Sequence, residues 1–198
     1  MKIGLTGSIA CGKSTVSSYL RGLGFVVADA DAISHELTSP GGAALPLLRA
    51  HFGEGVFSGN ELDRKKLASL VFSDSEQRKA LNAILHPLII ARIQDQLEAN
   101  DAPATLVFGD VPLLYECGMD AMFDKIWVVS APRSTQIARL HERDGLTAQE
   151  AAKRIDAQMP LCEKERRADA VISTDGPVEQ TRRQVRSLID AAIQRRQE

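Results

Sequence analysis

The fold of this chain is decided by the stretch Gly4-Leu5-Thr6-Gly7-Ser8-Ile9-Ala10-Cys11-Gly12-Lys13-Ser14-Thr15. Within it, residues 7–14 match G-x-x-x-x-G-K-[ST], the pattern of a phosphate-binding loop. Two glycines, Gly7 and Gly12, let the backbone curl so that consecutive N–H groups point at phosphate oxygens. Lys13 supplies a positive charge for the β- and γ-phosphates, and Ser14 supplies a hydroxyl for Mg²⁺. The stretch therefore predicts a nucleoside triphosphate site.

The sequence on either side of the loop supports this interpretation. Residues 1–5 are a short apolar run typical of a buried strand, and residues 14–23 have the pattern of a helix. The loop thus stands between a strand and a helix, as a phosphate-binding loop requires. The N-terminus of that helix adds further N–H donors and positive potential for an anion.

Composition limits the class of protein. The chain has 198 residues, of which 44% are hydrophobic and 25% charged, with a net charge of −2. This is ordinary globular composition, and the lack of basic excess argues against nucleic acid or an anionic membrane as a partner. The three cysteines, Cys11, Cys117 and Cys162, have no metal-binding spacing and suit a reducing compartment. We expect a soluble cytoplasmic protein, since no apolar run approaches the roughly 20 residues that span a bilayer.

Strands and helices alternate along most of the chain. After the first strand, short apolar runs at residues 25–28, 105–108, 125–130 and 170–173 predict four more. Helical patterns between them predict parallel strands connected by crossovers. We therefore expect an α/β protein with the three-layer fold of P-loop NTPases and a parallel five-stranded sheet.

Two segments interrupt this alternation. Between the second and third strands the pattern is helical, at residues 45–52, 63–72 and 76–98, and Pro87 should kink or break the last helix after His86. The lid stretch, residues 133–167, is rich in arginine and has helical patterns at residues 133–143 and from the capping box of Thr147 and Glu150 to about residue 158. We expect one domain over residues 1–198, with the following parts: a core of residues 1–31, 102–132 and 168–198, a helical acceptor-binding insertion of residues 32–101, and a lid of residues 133–167.

Acidic residues stand at the ends of two predicted strands, where ligands of open α/β sheets bind. For Asp29 the interpretation stays open between capping the next helix and a functional role. Asp31 is the stronger functional candidate. A weaker signal places Asp110, after the third strand, where a magnesium-holding acid is often found.

The arginines of the predicted lid are candidates for charge neutralisation during phosphoryl transfer. They are Arg139, Arg143 and Arg154. The alternative for each is a surface ion pair with a nearby carboxylate, namely Glu142, Glu150 or Asp156.

Beyond the loop, a series of motifs resembles the dephospho-CoA kinases, and it covers nearly the whole chain in order. The matching stretches are Gly4-Leu5-Thr6-Gly7, Cys11-Gly12-Lys13-Ser14-Thr15, Asp29-Ala30-Asp31, Leu85-His86-Pro87, Val111-Pro112-Leu113-Leu114-Tyr115-Glu116, Arg143-Asp144-Gly145-Leu146 and Arg154-Ile155-x-x-Gln158-Met159-Pro160. The resemblance implies transfer of the ATP γ-phosphoryl group to the 3′-hydroxyl of dephospho-CoA, with Mg²⁺ as cofactor.

The resemblance also implies roles for individual residues. The catalytic residues would be Asp31, as general base, with Lys13 and Arg139. The other roles fall into three sets: ATP binding by Gly7, Ala10, Cys11, Gly12, Lys13, Ser14, Thr15 and Arg143; dephospho-CoA binding by Asp31, His86, Pro87, Leu114 and Arg154; and Mg²⁺ binding by Ser14.

The sequence departs from the family pattern at a few positions. Ser8 and Ala10 stand where glycine is common, which predicts a less flexible loop. Residues 173–176 lack the usual Asn before Gly176, which puts adenine contacts from this loop in doubt. Because Cys11 lies inside the phosphate loop, we expect its modification to block ATP binding.

Two other functions stay open on the residues alone. One is a kinase of a different small acceptor, such as a nucleoside monophosphate. The other is a P-loop binding or switch protein without transfer chemistry, against which Asp31 and the lid arginines argue. We expect ATP and dephospho-CoA as the partners, no nucleic acid or membrane partner, and a monomer.

Overall fold

The computed structural model describes residues 1–102 and 105–194. Its strands are β1 (Lys2–Gly7), β2 (Val26–Asp29), β3 (Phe57–Ser58), β4 (Glu61–Leu62), β5 (Val107–Asp110), β6 (Lys125–Ser130) and β7 (Ala170–Ser173). Its α-helices are α1 (Lys13–Gly22), α2 (Ala30–Leu37), α3 (Leu45–Phe52), α4 (Arg64–Ser73), α5 (Ser75–Glu98), α6 (Arg133–Asp144), α7 (Ala148–Asp156), α8 (Leu161–Arg167) and α9 (Val178–Gln194). Of these described helices, none is long and apolar enough to cross a membrane.

The predicted five-stranded parallel sheet is confirmed. Its strand order is β2-β5-β1-β6-β7, so β1 lies at the centre, between β5 and β6. Leu5 of β1 is in register with Asp110 of β5 and with Trp127 of β6. Parallel strands bring their carboxyl ends to one edge of the sheet, and the loop that follows β1 therefore lies at the centre of that edge.

Apolar side chains of the sheet and of the helices that cover it form one core. Helix α9 packs against α1 and β7, and α8 packs against β6. The rings of Phe108 and Trp127 lie 5.4 Å apart within this core. Val16 of α1 and Val185 of α9 are fully buried in the same cluster. Through Val16, the helix after the phosphate loop packs into the core of the sheet.

The contacts divide the chain into two compact units. One comprises Met1–Ala28 together with the chain from Leu97 onward, and the other is Asp29–Gln96. The sequence analysis expected the helical insertion at residues 32–101, which is close to the bounds of the unit Asp29–Gln96.

The unit Asp29–Gln96 is helical apart from a short antiparallel hairpin, β3–β4, which the sequence analysis did not predict. The hairpin is brief, with Phe57 opposite Leu62. Helix α4 begins after Asp63, whose carboxylate accepts hydrogen bonds from the backbone N–H groups of Lys65 and Lys66 at 3.1 Å. This is the side-chain cap that the first turn of a helix needs.

The break predicted at Pro87 does not occur. Helix α5 is continuous over 24 residues and contains Pro87 in its interior. A proline removes one i→i−4 hydrogen bond, which here would have reached the carbonyl of Ala83. Both residues are exposed, so water can bond to that carbonyl.

Other boundaries move by a few residues. Strand β5 begins at Val107 instead of residue 105, α7 ends at Asp156 instead of residue 158, and α1 begins at Lys13. Helix α8 was not predicted, because its seven residues are mostly charged. The predicted boundary near Pro103, and the part of the last helix and core beyond Gln194, lie outside the described residues.

Candidate active site

The phosphate-binding loop connects β1 to α1 and has two left-handed residues. Gly12 has φ 80° and Ala10 has φ 60°. Ala10 is the one non-glycine residue with a positive φ in the described part of the chain. This conformation costs a residue with a Cβ about 1 kcal/mol. That strain explains why glycine suits position 10, and it shows that the surrounding structure holds the loop in shape.

Gly7 is required by close packing. A Cβ at this position would lie 2.6 Å from the carbonyl oxygen of Val129 on β6. At Gly12 a Cβ would lie 3.1 Å from the hydroxyl of Thr174. The two glycines of the motif therefore let the loop lie close to the neighbouring strand and to the turn after β7.

Lys13 forms an ion pair with Asp110, the last residue of β5. The carboxylate side chain is only 3% exposed and the lysine side chain 18% exposed, so solvent screens the pair weakly. The sequence signal for Asp110 was weak, because it depended on the position of a strand end alone. The ion pair places Asp110 beside the phosphate loop.

Arg139 of α6 holds the second half of the loop. Its guanidinium donates hydrogen bonds to the carbonyl of Ala10 at 3.1 Å, and to the hydroxyl and carbonyl of Thr174 at 3.0 and 2.7 Å. The Thr174 hydroxyl in turn donates to the carbonyl of Cys11 at 2.7 Å. Arg139 thus joins the left-handed part of the loop to the turn after β7.

Cys11 is fully buried, and its thiol packs in the core. The Gln136 side-chain amide donates to its Sγ at 3.0 Å. Burial raises the pKa of the Cys11 thiol above its ordinary value. Burial therefore favours the neutral thiol and shields it from reagents, and the expectation that modification of Cys11 would block ATP binding stays a prediction.

A cavity of about 450 Å³ opens beside the loop and the N-terminus of α1. Its size is that of a small-molecule site. Backbone, hydroxyl and guanidinium groups line it, and Ser14 and Thr15 are exposed at its wall. The lining residues are Ala10, Gly12, Ser14, Thr15, Arg139, Glu142, Arg143, Thr174, Gly176, Val178 and Thr181.

Arg143 lines this cavity and is bound to its neighbour Asp144 by two hydrogen bonds of 2.8 and 2.9 Å. Arg154 donates to the same carboxylate at 3.3 Å. The Arg143 guanidinium holds the pKa of the Asp144 carboxyl below its ordinary value. The ion pairs considered from the sequence involved other carboxylates: in the structure, Asp156 binds Arg133, and the Glu150 carboxylate completes a capping box with Thr147.

The candidate acceptor residues of the unit Asp29–Gln96 lie on two helices. The Asp29 carboxylate accepts from the backbone N–H groups of Asp31 and Ala32, both at 3.0 Å, and thereby caps α2. Asp31 itself is exposed in the first turn of α2. His86 is half-buried and Pro87 exposed in α5. Of the two roles left open for Asp29, the structure shows the cap.

Leu114 is fully buried in the other unit. Its Cδ1 would lie 2.7 Å from a Cβ at Gly4, so the side chain packs directly on the central strand. In this arrangement its side chain offers no surface to a ligand, and the substrate contact assigned to Leu114 stays a prediction.

Several residues at the loop were not found by sequence reasoning. Thr174, Gln136, Gln158 and Lys164 all bond to loop residues through their side chains. Two sequence signals were available: Gln158 belongs to one of the quoted motifs, and Thr174 lies in the segment 173–176 that departs from the family pattern. In residues 1–102 and 105–194 there is no cluster of three or more His, Cys, Asp or Glu side chains that could hold a metal ion.

Comparison with known proteins agrees with this geometry. A family model described as Dephospho-CoA kinase matches residues 1–180. The dephospho-CoA kinase of Geobacillus kaustophilus is 45% identical over 192 residues, which cover 96% of this chain and 95% of that protein. Among solved structures, a Thermus thermophilus protein superposes with a TM-score of 0.81 at 37% identity, covering 96% of this chain and 97% of that one.

The solved dephospho-CoA kinase of Campylobacter jejuni superposes with a TM-score of 0.76 at 29% identity, and the match covers 98% of each chain. The family model and the relatives thus extend over the sheet, the phosphate-binding loop and the helices on both sides of the cavity. This chain belongs to the dephospho-CoA kinase family.

Proposed function

We propose that this chain transfers the γ-phosphoryl group of ATP to the 3′-hydroxyl of dephospho-CoA, giving CoA and ADP, the last step of coenzyme A biosynthesis. The observation that carries this proposal is the loop itself. It is held in a strained shape next to the ion pair of Lys13 with the buried Asp110, and it opens on a nucleotide-sized cavity. Membership of the dephospho-CoA kinase family supports the choice of acceptor.

On the donor side, the backbone N–H groups of the loop and of the first turn of α1 bind the phosphates of ATP. This assigns ATP binding to Gly7, Ala10, Cys11, Gly12, Lys13, Ser14 and Thr15. Phosphoryl transfer depends mainly on positioning and charge neutralisation. Lys13 provides the charge nearest to the β- and γ-phosphates when it exchanges the Asp110 carboxylate for ATP.

The two arginines of α6 have different tasks. Arg139 was expected to be catalytic, but its donors bind the carbonyl of Ala10 and the turn at Thr174. We therefore assign it a positioning role. Arg143 lines the cavity, and among the described residues its hydrogen bonds go to the exposed neighbour Asp144, so it can turn toward the phosphates.

Asp31 is the general base that accepts the proton of the 3′-hydroxyl as the γ-phosphoryl group leaves ADP. Its exposed position leaves the carboxylate accessible to an acceptor. Contacts to dephospho-CoA come from His86, Pro87 and Arg154, while the buried side chain of Leu114 offers the substrate no surface in this arrangement.

The donor groups at the loop suit Mg²⁺, which prefers hard oxygen ligands and keeps several waters. The exposed Ser14 hydroxyl and the buried Asp110 carboxylate would hold it, directly or through water. When bound, Mg²⁺ neutralises charge on the transferring phosphates.

We propose a core of residues 1–31, 102–132 and 168–198, with an acceptor-binding insertion at residues 32–101. The moving lid is smaller than residues 133–167. Gln136 and Arg139 attach the start of that segment to the loop, and Gln158 and Lys164 attach its end. Closure is therefore confined to about residues 143–156, where Arg143 and Arg154 lie.

The protein acts as a cytoplasmic monomer without a nucleic acid or membrane partner. Light scattering on the purified chain tests whether it is a monomer.

The deciding experiment measures ADP formation with dephospho-CoA and, in parallel, with AMP and adenosine, followed by mass spectrometry of the products. We expect one phosphate to be added to dephospho-CoA, and NMR of the product should place it on the ribose 3′-oxygen. Equal or faster transfer to AMP would assign the chain to a different acceptor. ATP binding without transfer to any of the three acceptors would contradict the proposed activity.

A further inference from the structure

Ser8 and Ile9 of the phosphate-binding loop are held by the side chain of Gln158, which lies between α7 and α8. Its Oε1 accepts hydrogen bonds from the Ser8 hydroxyl at 3.0 Å and from the backbone N–H of Ile9 at 2.8 Å. One side-chain oxygen thereby fixes both a side chain and a backbone donor of the loop. The N–H of Ile9 thus has a protein partner and is not free to bind a phosphate.

Lys164 of α8 holds the start of the loop. Its side chain is completely buried, and its Nζ donates to the carbonyls of Gly7 and Pro112 at 3.3 and 3.2 Å. The same ammonium forms an ion pair with Glu116 at 2.8 Å. A buried ammonium is costly unless acceptors surround it. Here the acceptors come from the phosphate loop and from the segment after β5.

Glu116 links Lys164 to the segment between α7 and α8. Its carboxylate also accepts from the backbone N–H of Met159 at 3.0 Å, next to Gln158. The segment between α7 and α8 is therefore bound to the loop directly through Gln158, and indirectly through Glu116, whose carboxylate pairs with Lys164. Lys164 holds Gly7, and Gln158 holds Ser8 and Ile9. All three loop residues precede the left-handed residue Ala10.

We propose that Gln158 and Lys164 are positioning residues for ATP, which hold Gly7–Ile9 in the shape that binds the triphosphate. This rests on the proposed function only in taking ATP as the ligand of the loop. A loop that is ordered before its ligand arrives loses less conformational freedom on binding, and binding is tighter. Neither residue touches the reacting atoms in this role, so their loss weakens ATP binding and leaves acceptor binding unchanged.

The first test replaces Gln158 by alanine, with the exposed Gln149 of α7 as a matched control. Affinity for a fluorescent ATP analogue is measured with Mg²⁺ and without acceptor, and KM is measured for each substrate. For Gln158→Ala we expect the dissociation constant to rise about tenfold, as for two lost hydrogen bonds. The KM for dephospho-CoA should not change, and Gln149→Ala should match the wild-type protein.

A double-mutant cycle isolates the contact itself. Ser8→Ala removes one of the two donors to Gln158, so its effect on ATP affinity should be smaller in the Gln158→Ala background than in the wild-type protein. Strictly additive effects would show that the hydrogen bond between the two side chains does not act on ATP, and would contradict the proposal.

Lys164→Met tests the second attachment, with the exposed Lys153→Met as control. Because the single change leaves the Glu116 carboxylate without its ammonium, Lys164→Met combined with Glu116→Gln is measured as well. We expect the double variant to melt at a higher temperature than Lys164→Met, while both bind ATP several-fold more weakly than the wild-type protein. If neither variant folds, the Gln158 measurements decide.

The proposal is overturned if Gln158→Ala binds ATP as tightly as the wild-type protein. It is equally overturned if ATP and dephospho-CoA affinities fall by the same factor, which would indicate a general structural role. Failure of the proposed function has a separate signature: the wild-type protein would bind ATP yet phosphorylate no dephospho-CoA, while the effect of Gln158 on ATP affinity could still be measured.

Discussion

The side chains behind the phosphate-binding loop are buried or half-buried and make two or more bonds each, whereas the candidate acceptor residues of the unit Asp29–Gln96 stand at exposed or half-buried positions. Lys164 has three oxygen partners, and Arg139 donates to two residues. Asp31, in contrast, is an exposed residue in the first turn of a helix. The donor site is therefore preorganised in the absence of ATP, while the acceptor groups remain accessible to a large substrate.

The largest effect should come from the loop lysine. Lys13→Met removes the charge nearest to the β- and γ-phosphates, so kcat/KM for ATP should fall by about 10³-fold, as when a preorganised donor is lost. Steady-state kinetics with varied ATP measure this, with Lys153→Met as the exposed control. A loss below about tenfold would mean that the donor site does not depend on Lys13.

The acceptor side is tested by two neighbouring aspartates. Asp31→Asn removes the general base, and we expect kcat to fall by about 10²-fold while ATP affinity stays unchanged. Asp29→Asn keeps an oxygen that can cap α2, so its activity should stay close to that of the wild-type protein. Steady-state kinetics of the two variants measure both quantities. The reverse ranking of the two variants would show that the exposed carboxylate is not the base.

A smaller effect is expected at the turn after β7, where Thr174 contacts the phosphate-binding loop. Thr174→Val removes the hydroxyl that joins Cys11 to Arg139, which should weaken ATP binding about fivefold and lower stability by about 1 kcal/mol. Thr174→Ser keeps the hydroxyl and should restore both. Nucleotide titration and thermal unfolding measure the two quantities, and a valine variant with unchanged ATP affinity would show that this turn does not shape the loop.

The smallest effect concerns Cys11. Its burial and raised thiol pKa keep the thiolate scarce at about pH 8, so iodoacetamide should modify the exposed Cys162 and leave Cys11 intact, with activity unchanged. Peptide mass spectrometry after labelling without ATP identifies the modified cysteine. Rapid alkylation of Cys11 together with loss of activity would show that the donor loop opens in solution, and the contrast between the two regions would weaken.

Much of the architecture followed from local patterns. Apolar runs predicted the five parallel strands, and the loop motif between β1 and α1 predicted the phosphate site. The capping box of α7 was predicted as well, because Thr147 and Glu150 lie at the spacing that closes it. At Pro87 the sequence predicted a kink or a break, and the break was wrong, since the proline removes one hydrogen bond at an exposed position without ending the helix.

The sequence by itself determined the fold class, the phosphate loop and the family resemblance, because each depends on residues that are close in the chain or on a motif order. Only the tertiary structure decided what holds the loop. Lys13 meets Asp110 across 97 positions, and Lys164 reaches Gly7 across 157. Such contacts depend on strand order and helix packing, which bring distant residues together and which no local spacing encodes.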